Sequence, residues 1–154
     1  MNLFQKFLAV FKAFDQEQVD YVLIGGFAVI LYGLPLLTQG LDILVNMNHD
    51  NIKKIQKSLH DLFQDESVYE ITIDELNKYA VIRYGSPEGF HVDIMAKVGE
   101  IADFNTVESR IIQVENVPIR VATPESLLNM KKDSIRPEDQ RDIEFLKEYI
   151  KGKK

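Results

Sequence analysis

The chain has 154 residues, of which 45% are hydrophobic and 27% charged, the size and make-up of one ordinary globular domain rather than of a disordered, collagenous or membrane chain. It contains no cysteine, which excludes a disulfide framework and any thiolate metal site, zinc fingers included. The formal net charge of −6 argues against gripping nucleic acid by unspecific phosphate neutralisation, although residues 131–154, with eight Lys or Arg against six Asp or Glu, leave room for a local anion site.

At the N-terminus Leu3, Phe4, Phe7, Leu8, Phe11 and Phe14 recur at helical spacing, which predicts an amphipathic helix packed on its own core. The apolar run between Lys6 and Lys12 spans only Phe7 to Phe11, so a secretory signal is not expected. No stretch is long enough to span a bilayer, and a cytoplasmic location is the default. Tyr21 to Ile24 is a short β-rich run ending in Gly25 and Gly26, after which FAVILYG reads as a short helix closing at Gly33. Leu41 to Met47 is a second strand, apolar enough to be buried on both faces. Asn48 or Asp50 caps a helix whose stripe is Ile52, Ile55, Leu59, Leu62 and Phe63.

Val68 to Ile73 and Tyr79 to Tyr84 alternate like strands. GSPEG, Gly85 to Gly89, turns the second of these into a hairpin with Phe90 to Met95. A further hairpin runs from Arg110 to Val114 and Val117 to Val121 around Glu115 and Asn116. Thr123 and Pro124 start a helix as N-cap and first-turn residue, and Pro137 opens a last one with Ile143, Leu146 and Ile150 facing inward. No repeat, low-complexity linker or composition shift marks a boundary, so residues 1–154 are expected to form a single domain with helices over 124–150 packed on it. The element order indicates an α/β (α+β) fold with a mixed sheet flanked by helices.

Two features carry chemistry. A strand ending in Gly25-Gly26 and entering a helix directs backbone N–H groups at an anion, phosphate being the usual guest, while the same pair also serves simply to make a tight turn. Both GxGxxG and P-loop spacings are missing, so dinucleotide and Walker-type sites are not supported. The second feature is a pair of lone acids in apolar strands, Asp42 in LDILV and Asp93 in VDIM. A carboxylate in such a run asks for a partner or a metal, and two on neighbouring strands suit a divalent cation, which needs only one or two carboxylates when substrate phosphates complete its shell. The plainer reading is that both acids pair with Lys or Arg. His91 shares the face of Asp93 by strand alternation and is expected to be a partly exposed surface residue.

Gly25-Gly26, Tyr32-Gly33, Thr38, the LDILV strand and the VDIM strand together resemble the nucleotidyltransferase superfamily, the fold shared with DNA polymerase beta. More narrowly they resemble its small bacterial branch, related to abortive-infection and toxin-antitoxin nucleotidyltransferases. The closing segment is similar too, with Lys131 followed by Arg136, Asp139 and Asp142 in an Arg-x-x-Asp-x-x-Asp pattern. This resemblance implies transfer of a nucleoside monophosphate from an NTP to an acceptor hydroxyl on a nucleic acid, protein or small molecule, dependent on Mg²⁺ or Mn²⁺. Gly25 and Gly26 would cradle the triphosphate, Asp42 and Asp93 would be catalytic and bind metal, Asp93 would also take the acceptor's proton, and Lys131 would neutralise phosphate charge. A toxin-antitoxin partner is part of the same implication. The chain departs from the family's Arg-x-Thr-x-Asp-x-Asp segment at the Arg, here Leu36, and at the first Asp, here Gly40. Glu100 is the acid considered to fill that gap. The alternative is a catalytically degenerate nucleotide-binding or protein-interaction module of the same fold.

Overall fold

Asn2 starts the first helix, α1 (Leu3–Glu17), by accepting a hydrogen bond from the Gln5 backbone N–H at 2.9 Å, and Gln18 closes it in the left-handed conformation. The computed structural model describes residues 1–152; Lys153 and Lys154, the last cations of the basic tail and the end of the expected 1–154 domain, lie outside the described residues. The remaining helices are α2 (Gly25–Leu31), α3 (His49–Phe63), α4 (Ile73–Lys78), α5 (Pro124–Lys131) and α6 (Pro137–Gly152). The strands are β1 (Tyr21–Ile24), β2 (Gly40–Val45), β3 (Ile82–Gly85), β4 (His91–Met95), β5 (Lys97–Val98), β6 (Ala102–Asp103), β7 (Ser109–Val114) and β8 (Val117–Ala122).

Six of these strands form one mixed sheet in the order β3-β4-β2-β1-β8-β7, while β5 and β6 make a separate small hairpin. β2 runs parallel to β4 and antiparallel to β1, and β1 runs parallel to β8. The two outer pairs, β3 with β4 and β7 with β8, are the hairpins expected from the turn residues. Glu115 and Asn116 both take positive φ, 48° and 70°, as the tight two-residue connection requires.

Leu23, Leu41, Ile43, Leu44, Ile94 and Ile119 are fully buried, because the central strands are covered on both faces. The phenylalanines of α1 supply much of that cover. Phe7 meets Phe27 of α2 edge-on at 5.0 Å and Phe90 at 5.3 Å, and Phe11 stacks on Phe27 at 6.2 Å. With Phe11 wholly buried, truncating it to Ala is expected to cost about 3–5 kcal/mol. Ile143 and Leu146 face inward as expected, and Ile150 is half-buried. Among the described residues no helix is long and apolar enough to cross a membrane.

The strand expected at Val68 to Ile73 does not form. The segment is a 3-10 turn over Glu66–Glu70 followed by α4. Capping overrides alternation here. The Asp65 side chain accepts from the Ser67 N–H at 3.1 Å, and Thr72 accepts from the Glu75 N–H at 3.2 Å with Asp74 and Glu75 in the first turn. The neighbouring strand is correspondingly shorter, beginning at Ile82 rather than Tyr79.

Candidate active site

Register places the site. Across the sheet Arg83 of β3 lies opposite Asp93 of β4, Asp93 opposite Asp42 of β2, and Asp42 opposite Ile24 at the end of β1. Four residues from four strands therefore form one row. Side chains of a row share a face, so the two lone acids stand side by side, directly before the turn into α2.

That turn explains its glycine. Gly25 has φ +74°, a conformation L side chains avoid, and a Cβ there would run into the Asp42 carboxylate, whose Cγ would be 2.8 Å away. The backbone of the turn is thus packed against Asp42 itself. Gly26 is less constrained, its nearest neighbour being Thr38 Oγ1, 3.7 Å from where a Cβ would stand.

Asp42 is held in an unfavourable setting for a charge. Burial first, and repulsion from Asp93 second, push its carboxyl up to about 6 from an ordinary 3.8, against the lowering influence of Lys131 and Arg83. Asp93, almost fully buried, is compensated: Arg83 donates Nε to Oδ1 at 2.9 Å and Nη2 to Oδ2 at 3.0 Å, a two-pronged pair. The expectation that an acid here pairs with a cation thus holds for Asp93, and the cation is one that strand alternation alone does not single out. The hairpin gives the missing signal. Ser86 and Phe90 close it by a backbone bond of 2.8 Å and Gly85 pairs with His91, which brings Arg83 opposite Asp93.

The position of the missing first acid is filled from next door. Gly40 pairs with His91 across β2 and β4, and a Cβ on Gly40 would collide with both the His91 imidazole and its backbone carbonyl oxygen, coming within 2.6 Å of Nε2. The imidazole is half-buried, and its Nε2 lies 3.9 Å from Asp93 Oδ2. Leu36, where the sequence resemblance would lead one to expect Arg, packs on the core and lines an apolar groove with Leu3, Phe4 and Phe7. Glu100 is not brought to the site; its exposed carboxylate pairs with Lys97 at 3.3 Å.

Lys131 arrives from the end of α5, but not as a free cation. Its Nζ donates to Asp142 Oδ2 at 2.7 Å and Asp139 Oδ1 at 3.1 Å, both acids nearly fully buried on α6. Burial pulls the pKa of this amine down; the bonds to Asp142 and Asp139 outweigh it and hold the pKa above the ordinary value. Asp139 is driven the other way, down to about 2, because hydrogen bonds from Ser134, Arg136 and Lys131 overcome the effect of burial. Among the described residues no buried side-chain nitrogen or oxygen lacks a partner.

A cavity of about 270 Å³ opens between these elements, with Gly25, Gly26, Asp42, Lys131 and Arg136 on its polar side and Met95, Val98, Leu127 and Met130 on its apolar side. Asp93 does not line it and stands beside it through Asp42. The donor set suits a hard divalent cation, since two adjacent carboxylates offer oxygen ligands and leave the remaining positions to water and phosphate. Among the described residues no group of three or more His, Asp or Glu side chains is gathered to hold a metal unaided.

Solved structures with this fold include an antigenic nucleotidyltransferase-like protein from Paracoccidioides brasiliensis, 18% identical with a TM-score of 0.61 over 92% of this chain and 74% of that one. The lincosamide antibiotic adenylyltransferase LnuA, with lincomycin bound, is 17% identical with a TM-score of 0.63 over 93% of this chain and 95% of that one. The antibiotic-resistance factor ANT(2'')-Ia is 13% identical with a TM-score of 0.54 over 100% and 86%. Among curated proteins no sequence matches. A family profile matches residues 3–154, and the chain belongs to that family, described as nucleotidyl transferase of unknown function (DUF2204).

Proposed function

We propose that the protein transfers a nucleoside monophosphate from an NTP to an acceptor hydroxyl with the help of Mg²⁺ or Mn²⁺. The observation that carries this reading is the convergence of Asp42 and Asp93 on adjacent strands against the Gly25 turn, beside a cavity with one cationic wall. Asp42, assisted by Asp93, would hold the cation, which when bound would neutralise triphosphate charge and polarise the phosphoryl group. The backbone of Gly25 and Gly26 would lie along the triphosphate. Lys131 and Arg136 would face it from α5 and the segment before α6, their charges balanced by Asp139 and Asp142.

In the transfer the acceptor oxygen forms a bond to the α-phosphorus, the bond from that phosphorus to the bridging oxygen breaks, and pyrophosphate leaves. The acceptor's proton goes to a carboxylate. Asp42 would be engaged by the cation, and both oxygens of Asp93 take the Arg83 fork, so for Asp93 to take this proton, as the resemblance implies, one prong of that fork would open. The likeness to the lincosamide adenylyltransferase, nearly all of whose length this chain spans, makes a small molecule the first acceptor class to test. A toxin-antitoxin partner belongs to this proposal through the sequence resemblance alone, and a cytoplasmic setting only as the default of the sequence reading.

A second reading is a site that binds nucleotide without transferring it, and Gly40 favours it by removing one family carboxylate. The two separate with labelled NTP and Mn²⁺. Transfer to an acceptor, lost in Asp93→Asn, supports the enzyme. A rise in melting temperature on adding NTP and Mg²⁺, without product over a broad acceptor panel, supports the binding module. No transfer and no thermal shift would remove both.

A further inference from the structure

We propose that this centre is built for one divalent cation, and that Arg83 supplies from β3 the positive charge a second cation would otherwise bring to Asp93. The proposal rests on the nucleotidyltransferase reading and goes beyond it.

Three features of the row lead there. A third carboxylate has no room, because the Gly40 α-carbon lies under the His91 imidazole and carbonyl oxygen. The site is therefore a two-acid site by packing, and two acids are few for two dications. Asp93 is already satisfied, with both oxygens engaged by a guanidinium that cannot give up its charge. Charge count agrees. Lys131 and Arg136 are balanced by Asp139 and Asp142, so Asp42, Asp93 and Arg83 together leave a single negative charge for a cation to meet.

Arg83 also has the reach for the task. Its side chain is 63% exposed while that of Asp93 is 10% exposed, so the guanidinium lies over the buried acid from the solvent side. Nε and Nη2 are used on Asp93, and among the described residues Nη1 has no protein acceptor, which leaves it for a ligand oxygen.

The test counts cations directly. The protein is saturated with α,β-methylene ATP, which cannot be cleaved at the reacting bond, and titrated with Mn²⁺, the bound ion read by EPR and the stoichiometry by calorimetry. Wild type is expected to bind one Mn²⁺ per chain, Arg83→Lys one, and Arg83→Gln two. Two in wild type, or one in Arg83→Gln with its melting transition intact, overturns the proposal and leaves the nucleotidyltransferase reading standing. Failure of wild type to bind Mn²⁺ and the analogue at all overturns that reading, and this one with it. Should Arg83→Gln not fold, the wild-type count still decides, two ions rejecting the proposal and one, unchanged in Arg83→Lys, upholding it.

Discussion

Replacing Asp42 by Asn is expected to stabilise the metal-free protein at pH 8 and to leave it nearly unchanged at pH 4. The Asp42 carboxyl is pushed up to about 6 in the folded chain, by burial first and by Asp93 second, from 3.8. A folded pKa above the unfolded one means that stability from this group is fully present below pH 4 and is lost as the pH rises through 6. The gap is some two pKa units, each worth ~1.36 kcal/mol, so the ionised acid costs up to about 3 kcal/mol at neutral pH. Partial solvent access lowers that to about 1–3 kcal/mol. Asn keeps the shape, removes the charge and donates to Asp93. For a chain of this length the gain corresponds to a melting temperature higher by about 3–10 °C. Urea denaturation in EDTA at pH 4, 6 and 8 measures it, and added Mg²⁺ should stabilise wild type but not the Asn variant. A variant less stable than wild type at pH 8, or a difference independent of pH, would refute the electrostatic account of Asp42.

Other substitutions probe the same row. Gly25→Ala places a side chain at φ +74° and into the Asp42 carboxylate, and is expected to cost about 2–4 kcal/mol and to weaken Mn²⁺ binding; unchanged urea midpoint and affinity would mean the turn does not pack on the acid. Gly40→Asp is expected to lose about 2–4 kcal/mol through its collision with His91 and to gain no cation, whereas a normal melting curve with tighter Mn²⁺ binding in titration would show that the space exists. Lys131→Met leaves Asp139 and Asp142 buried without their shared amine, an expected loss of about 3–5 kcal/mol read by urea denaturation at pH 7 and diminishing at low pH.

What was legible in the sequence was what local chemistry dictates. Caps at Asn48 and Thr123, the tight turn at Glu115 and Asn116, and the apolar runs of β2 and β4 all act within a few residues, and the structure follows them. At Val68 to Ile73 the alternation misleads, because two caps, Asp65 and Thr72, compete with a short apolar pattern that no partner strand reinforces. The acids Asp42 and Asp93 were legible because a charge in an apolar strand is conspicuous in any sequence. Their compensation was not. Whether Asp93 faces Arg83, and whether His91 covers Gly40, depends on how β3, β4 and β2 are aligned, and a shift of one residue would send each side chain to the opposite face. Gly40 is therefore read differently once the register is known: the His91 imidazole packed over it and the Arg83 guanidinium on Asp93 belong to one closed row. Restoring the acid alone would add a charge to a site whose packing has already been closed over it, so recovery of a second cation requires changing Arg83, not Gly40.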